Sequence, residues 1–197
     1  MPTKIILASG SPRRRELLTA RGVEFQVLVT NADESVPDRL THDEMVKTIS
    51  KRKAEAAVRV LTAGQISDGV AVIAADTIVA LGEDTFGKPE DKADAKRMLL
   101  ALSGNEHKVY TGVTVAHIHG DKVTYRQEVC VTKVKFRQLT EREIDDYLIG
   151  GEYADKAGAY AIQEEGGGFV EHIDGSYDNV VGLPVDTVME MLGQVES

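Results

Sequence analysis

One junction constrains this chain more than any other stretch. Residues 4–18 read KIILASGSPRRRELL: an apolar run breaks at Ala8-Ser9-Gly10-Ser11 and opens directly into a helix. Ser11 has the side chain of an N-cap, and Pro12 suits the first helical position because it has no N–H to leave unsatisfied there. Arg13, Arg14 and Arg15 then fill the first turn, where the helix dipole is already positive and acidic residues are preferred. A strand–turn–helix junction with free N–H groups and three guanidinium groups invites an anion.

The rest of the chain alternates in the same way. The pattern predicts a strand over Lys4–Ser9, a helix over Pro12–Arg21 closed by Gly22, and a short strand over Val23–Val29. A long helix follows a loop through Pro37, opened by a Thr41/Glu44 capping box. VAVIAADTIVAL (70–81) reads as a buried strand, and GKPEDKADAKRMLLALSG (87–104) as a turn and helix ending before Gly104. Residues 107–118 and 122–136 form a hairpin through His119-Gly120-Asp121. Thr140 and Glu143 make a second capping box ahead of EIDDYLIGG. The last third is glycine-rich, and a final helix runs from about Val185 to Leu192. Helices between strands, together with a long hairpin, define an α/β class with a mixed β-sheet and flanking helices.

The 197 residues suffice for one large domain or two small lobes; with no repeat, low-complexity tract or linker, the expectation is one domain over 1–197. No window approaches 18 consecutive apolar residues, so no membrane span is expected, and the N-terminal run reads as a strand rather than a signal segment. Cys130 is the single cysteine, which leaves no disulfide framework and points to a reducing cytoplasm. The net charge of −9 argues against a nucleic-acid polymer as partner. The first fifteen residues nonetheless carry Lys4 and three arginines and no acid, which suits a small anion.

Four positions break their local pattern. Arg13 and Arg14 offer bidentate donors suited to phosphate, beside Ser9 and Gly10 where an oxyanion can approach; a solvated basic helix face explains them as well. No G-x-x-x-x-G-K-[ST] loop is present. Lys53 falls on the apolar stripe Val46, Ile49, Ala56 or Ala57, Val60, so it either snorkels out or meets an anion. Asp76 interrupts an apolar central strand, where a carboxylate must be paired, hydrogen-bonded or metal-bound, unless it only caps a strand end. Lys88 sits in the turn FGKPED, an ordinary place for a solvated lysine. Taken together, the cations and Asp76 fit phosphoanhydride hydrolysis, which rests on positioning, charge neutralisation and activation of water. Glu34 is a candidate second carboxylate, and Asp33 and Asp38 beside it are not distinguishable from it by position alone. The five histidines form no zinc signature, and there is no G-x-S-x-G elbow.

Nearly the whole chain then resembles the Maf family of nucleoside triphosphate pyrophosphatases, through LASGSPRR, KRKAEA, AADTIV, GKP, LSG, YTGV, DKAGAYAIQ and GSYDNVVGLP in that order. The resemblance implies two lobes around a deep cleft, a Maf/ITPase-like fold, and often a homodimer. It implies hydrolysis of the α–β phosphoanhydride of a nucleoside triphosphate with a divalent cation, Mg²⁺ or Mn²⁺. Under it, Asp76 is the proton acceptor that activates water. Ser9, Arg14, Lys53 and Lys88 hold the triphosphate, and Glu34 is a cleft acid and, with Asp76, a metal ligand. Arg13, Thr77 and Gln163 occupy the positions that divide the family by nucleobase, and this set is similar to the subgroup acting on dTTP and UTP; the 7-methyl-GTP subgroup would show Trp, Gln and Glu. An amide both donates and accepts, which matches the adjacent carbonyl and N–H of uracil or thymine. Two rival expectations stand beside this one: a nucleotide-binding regulator of cell division and septum formation, and a pyrophosphatase for modified nucleotides.

Overall fold

The computed structural model describes residues 4–37, 39–63 and 68–193. In chain order its elements are β1 (Lys4–Leu7), α1 (Pro12–Ala20), β2 (Gln26–Val27), α2 (His42–Ala63), β3 (Asp68–Leu81), β4 (Asp84–Phe86), α3 (Lys92–Leu102), β5 (Glu106–His119), β6 (Lys122–Phe136), α4 (Glu141–Tyr147), β7 (Val170–Asp174), α5 (Tyr177–Val181) and α6 (Val185–Gly193). The strand order is β2-β1-β3-β5-β6-β7, with β4 paired to β3. β1 pairs parallel with β2 and β3, whereas β3–β4 and β6–β7 are antiparallel, so the sheet is mixed and the α/β expectation holds. No helix among the described residues is long and apolar enough to cross a membrane.

The chain resolves into two compact units. The first is built from the chain up to Asp76, Thr111–Cys130 and the chain from Gly182; the second is Thr77–Tyr110 with Val131–Val181. β3, β5 and β6 contribute residues to both.

In the first unit the two-residue period of the strands sorts side chains onto two faces. Leu7, Ala71, Ile73, Ala75, Val113 and Val115 face Leu18 of α1 and Val185, Val188, Met191 and Leu192 of α6. Ile6, Ala8, Val70, Val72, Ala74, Ala116 and Ile118 face Ala54, Ala57, Val58 and Leu61 of α2. Fully burying an aliphatic side chain of the Val, Leu or Ile type contributes about 1.5–3 kcal/mol. The face of α2 that docks is rotated from the expected one: Val60 is 53% exposed, and Leu61 takes its place in the core. The helix meets β5 closely, for a Cβ added to Gly112 would lie 2.4 Å from the Val46 carbonyl oxygen. One turn further along, Ser50 Oγ is 2.9 Å from Thr114 Oγ1.

The second unit has its own core, in which Val79, Phe86, Leu99, Leu102, Val134, Phe136, Ile144 and Phe169 are buried together. Both capping boxes form as expected: the Thr41 hydroxyl accepts from the Glu44 N–H at 3.3 Å, and that of Thr140 from the Glu143 N–H at 3.2 Å. The glycine-rich third is less irregular than its composition indicates. It holds β7 and α5, neither anticipated, and three short 3₁₀ turns at Glu152–Asp155, Ala157–Ala159 and Glu165–Phe169.

Candidate active site

The β1–α1 junction forms as the local residues dictate. Ser11 is the N-cap and Pro12 the first helical residue, and the Ser11 hydroxyl accepts from the Arg14 N–H at 3.5 Å. Arg14 is held by its surroundings: Nη1 donates to the Ala75 carbonyl at 2.8 Å and to Ser9 Oγ at 3.3 Å, and Nε donates to the Gly182 carbonyl at 2.8 Å. It therefore fastens the turn after β1 to the end of the buried stretch of β3, one residue before Asp76. Burial pulls its pKa down, Asp76 and Glu34 oppose that pull, and Arg13 adds to it. A guanidinium stays charged regardless. Asp76 and Glu34 are thus acids whose charge reaches Arg14.

Asp76 continues the even-numbered series of β3 and so points toward the α2 layer. The residue is 8% exposed, and Oδ1 accepts from Lys53 Nζ at 2.7 Å. Lys53 neither snorkels nor faces solvent: its side chain is 15% exposed, and it also pairs with Glu34 Oε1 at 3.1 Å. One ammonium therefore joins two carboxylates, one on a strand and one on a loop.

Two of the three loop acids separate clearly. Glu34 reaches Lys53. Asp33 shapes the loop instead, accepting from the Ser35 N–H at 2.9 Å and pairing with Arg52 at 3.7 Å. Arg52 Nη1 also donates to the Ser35 carbonyl. Asp38 lies outside the described residues. Nothing in the sequence singles out Arg52 beside Lys53 in KRK, where three basic residues in a row give no sign of which one braces a loop.

Ser9, Arg13, Arg14, Glu34, Lys53 and Asp76 all belong to the first unit. Ser9 is buried and Arg13 half-buried. In the second unit, Thr77 follows Asp76 on β3 and is half-buried. Lys88 is exposed in the turn between β4 and α3, and Gln163 is exposed in a turn ahead of the 3₁₀ turn at Glu165–Phe169. The Gly158 N–H donates to the Gly87 carbonyl at 3.0 Å, which fixes the backbone next to Lys88.

The donor set fits a divalent cation of the Mg²⁺ type. Asp76 and Glu34 are hard carboxylate donors, and both reach the Lys53 ammonium. Magnesium is commonly held by one or two carboxylates, with water and substrate phosphate completing the shell. No three His, Cys, Asp or Glu side chains converge among the described residues. Chemically, the arrangement sets a buried carboxylate beside an ammonium and a guanidinium, groups that can bind anionic oxygens and exchange a proton.

The fold is a mixed α/β one, and its first unit gathers two carboxylates, an ammonium and a guanidinium at the end of β1 and in the middle of β3. Residues 4–195 match the Maf-like protein family, and the chain belongs to that family. It is 45% identical over 192 residues to a Bacillus anthracis protein named dTTP/UTP pyrophosphatase, covering 97% of this chain and 95% of that one. Proteins of the same name from Aliivibrio fischeri and Hahella chejuensis are 44% and 43% identical. They are aligned over 98% and 96% of this chain and 99% and 90% of their own. Among solved structures, the Staphylococcus aureus Ham1 protein is matched at 13% identity and a TM-score of 0.44, over 68% of this chain and 72% of that one.

Proposed function

We propose that this protein hydrolyses dTTP and UTP to the monophosphate and pyrophosphate, by attack of water on the α-phosphorus. One observation carries the chemistry: a buried strand carboxylate, Asp76, held at 2.7 Å from an ammonium that a second carboxylate also engages, beside the immobilised Arg14. In this reading Asp76 takes the proton from the attacking water. Ser9, Arg14, Lys53 and Lys88 neutralise the triphosphate, and Arg13, Thr77 and Gln163 set the base preference. The names of the relatives support dTTP and UTP, and the paired donor and acceptor of the Gln163 amide suit a pyrimidine with adjacent C=O and N–H groups.

Glu34 and Asp76 would hold the divalent cation, Mg²⁺ or Mn²⁺. Once bound, it would neutralise developing phosphate charge and polarise the P–O bonds. The chain's own part is to keep two carboxylates and Lys53 on one spot, and to hold the backbone before Asp76 through Arg14. The same reading places the protein in the cytoplasm, where nucleoside triphosphates are met, as a homodimer.

A pyrophosphate-release screen over dTTP, UTP, CTP, GTP and 7-methyl-GTP, with Mg²⁺ or Mn²⁺, tests this. Turnover concentrated on dTTP and UTP and abolished by chelation is the expected result. Turnover on 7-methyl-GTP instead would retain Asp76 and refute the base assignment. Tight nucleotide binding without turnover would favour the cell-division regulator.

A further inference from the structure

Lys156 is a lysine that the chemistry above does not use, and it is only 6% exposed. Its ammonium donates to the Glu152 carbonyl, lies 3.0 Å from Asp155 Oδ1 and 3.2 Å from Glu164 Oε2. Glu164 is the residue after Gln163. The ammonium thus ties the start of the turn at 152–156 to its far end at 164.

The segment between is fixed at every step. Gly158 and the buried Ala159 both adopt left-handed backbone, with φ of 70° and 63°. Such a conformation is uncommon for alanine and persists where the surroundings over-determine it. The Ala159 N–H donates to the Lys156 carbonyl at 3.1 Å. Tyr160 is buried, with its hydroxyl 2.9 Å from His107 Nε2. The glycine run then lies against the backbone just ahead of Gln163: a Cβ on Gly167 would be 2.4 Å from the Ile162 carbonyl oxygen, and one on Gly166 would be 2.8 Å from that of Ala161. A turn braced this way carries Gln163 as an exposed side chain on closely packed backbone.

We propose that Lys156 is a positioning residue for nucleobase discrimination: its ammonium clasps both ends of the 156–164 turn and so sets where Gln163 presents its amide. The inference rests on the reading of Gln163 as the base-sensing residue. A site that recognises a substrate amide by hydrogen bonds discriminates strongly only while its own polar group is held in place. Loosening the clasp therefore costs recognition rather than the chemical step.

The test measures kcat and KM for dTTP, UTP and CTP in the full chain and in Lys156→Met, Lys156→Arg, Glu164→Ala and Gln163→Ala. For Lys156→Met, KM for dTTP and UTP is expected to rise about tenfold with kcat little changed, the signature of lost binding shared by ground and transition states. The dTTP:CTP ratio of kcat/KM is expected to fall toward one. Lys156→Arg keeps the ratio. Should Lys156→Met fail to fold, Glu164→Ala removes the clasp from its solvent-facing end and carries the same expectation. A lower melting temperature with unchanged KM and ratio in both variants would reduce Lys156 to a structural role and overturn the proposal. If Gln163→Ala collapses the ratio while the clasp variants leave it intact, the positioning role alone falls. If the wild type shows no preference, or Gln163→Ala keeps it, the reading beneath falls and takes this inference with it.

Discussion

Lys53 Nζ and Asp76 Oδ1 stand 2.7 Å apart, from the helix layer and the strand beneath it. Each is an exception on an otherwise apolar surface, and the two exceptions meet. The same two elements otherwise give Ala54, Ala57, Val72 and Ala74 to the apolar core. A buried charge on such an element needs a partner of opposite charge, and Lys53 has Glu34 besides Asp76.

Replacing Asp76 by asparagine keeps the shape and removes the proton acceptor. Turnover is expected to fall about 10²-fold or more, in the range of a lost general base, with nucleotide affinity largely kept. Single-turnover pyrophosphate release alongside equilibrium binding separates the two. Full activity in the variant would remove Asp76 from the chemistry.

Breaking the pair from the other side affects folding as well. Lys53→Met leaves Asp76 buried without its hydrogen-bonded cation, and is expected to destabilise the fold by about 2–3 kcal/mol, less than a fully buried pair loses because Arg14 lies nearby. Lys53→Met/Asp76→Asn should recover part of that loss, since the uncompensated charge is gone. Urea denaturation of the two single variants and the double variant closes the cycle. Additive effects would show that the two groups are not energetically coupled.

The legible part of this site is what broke a pattern. Asp76 in an apolar strand and Lys53 on an apolar stripe each posed a problem that only a partner solves, and they proved to be one another's partner. Glu34 was not separable from Asp33 and Asp38, because every acid in a polar loop fits its neighbours equally well. Val60 lies off the docking face for a geometric reason: on a 22-residue helix, small differences in phase accumulate, and one residue rotates a side chain by about 100°. β7 escaped notice because only Val170 and Ile173 of its five residues are even half-buried, which leaves little alternation to read. The carbonyls that Arg14 holds lie 61 and 168 residues away in the chain, beyond any local pattern.

His107 sets a pH dependence for stability. Burial beside Phe136 and Tyr160 pushes its pKa down to about 4 from an ordinary value of 6.5. Above pH 6.5 the imidazole is neutral folded or unfolded and contributes no slope. Between 6.5 and about 4 only the unfolded chain takes up the proton, so stability falls as pH falls, by about 1.4 kcal/mol per pH unit and about 3 kcal/mol in all. His107→Gln should flatten that part of the stability–pH curve by about one proton. Glu143, held down to about 2 by Arg137 and by the Thr140 cap, acts on the curve between 4.5 and about 2, where only the unfolded chain takes up its proton and stability again falls as pH falls. An unchanged slope between pH 4 and 6.5 in His107→Gln would show that His107 is not buried neutral.

Gly112, the glycine of YTGV, is where the site depends on close packing of α2 on β5. α2 lies so close to β5 there that an added methyl group would sit 2.4 Å from the Val46 carbonyl oxygen and 2.5 Å from its carbon, both backbone atoms that cannot rotate away. The helix must therefore lift or shift, and overpacking of this kind costs about 1–3 kcal/mol. Lys53 is seven residues beyond Val46, two helical turns along the same face, so a displaced helix carries its ammonium away from Asp76. Gly112→Ala is thus expected to lose stability and, at temperatures where it remains folded, to lose turnover as well. Gly120→Ala, at an exposed hairpin turn where nothing lies within 4 Å of the added carbon, is the comparison: its φ of 56° strains an alanine, yet no helix moves. Urea titrations of both variants, with turnover measured well below their melting temperatures, distinguish the cases. Equal stability loss with turnover reduced only in Gly112→Ala would tie this close approach to the Lys53–Asp76 geometry. Wild-type turnover in folded Gly112→Ala would show that α2 can shift at β5 without moving Lys53.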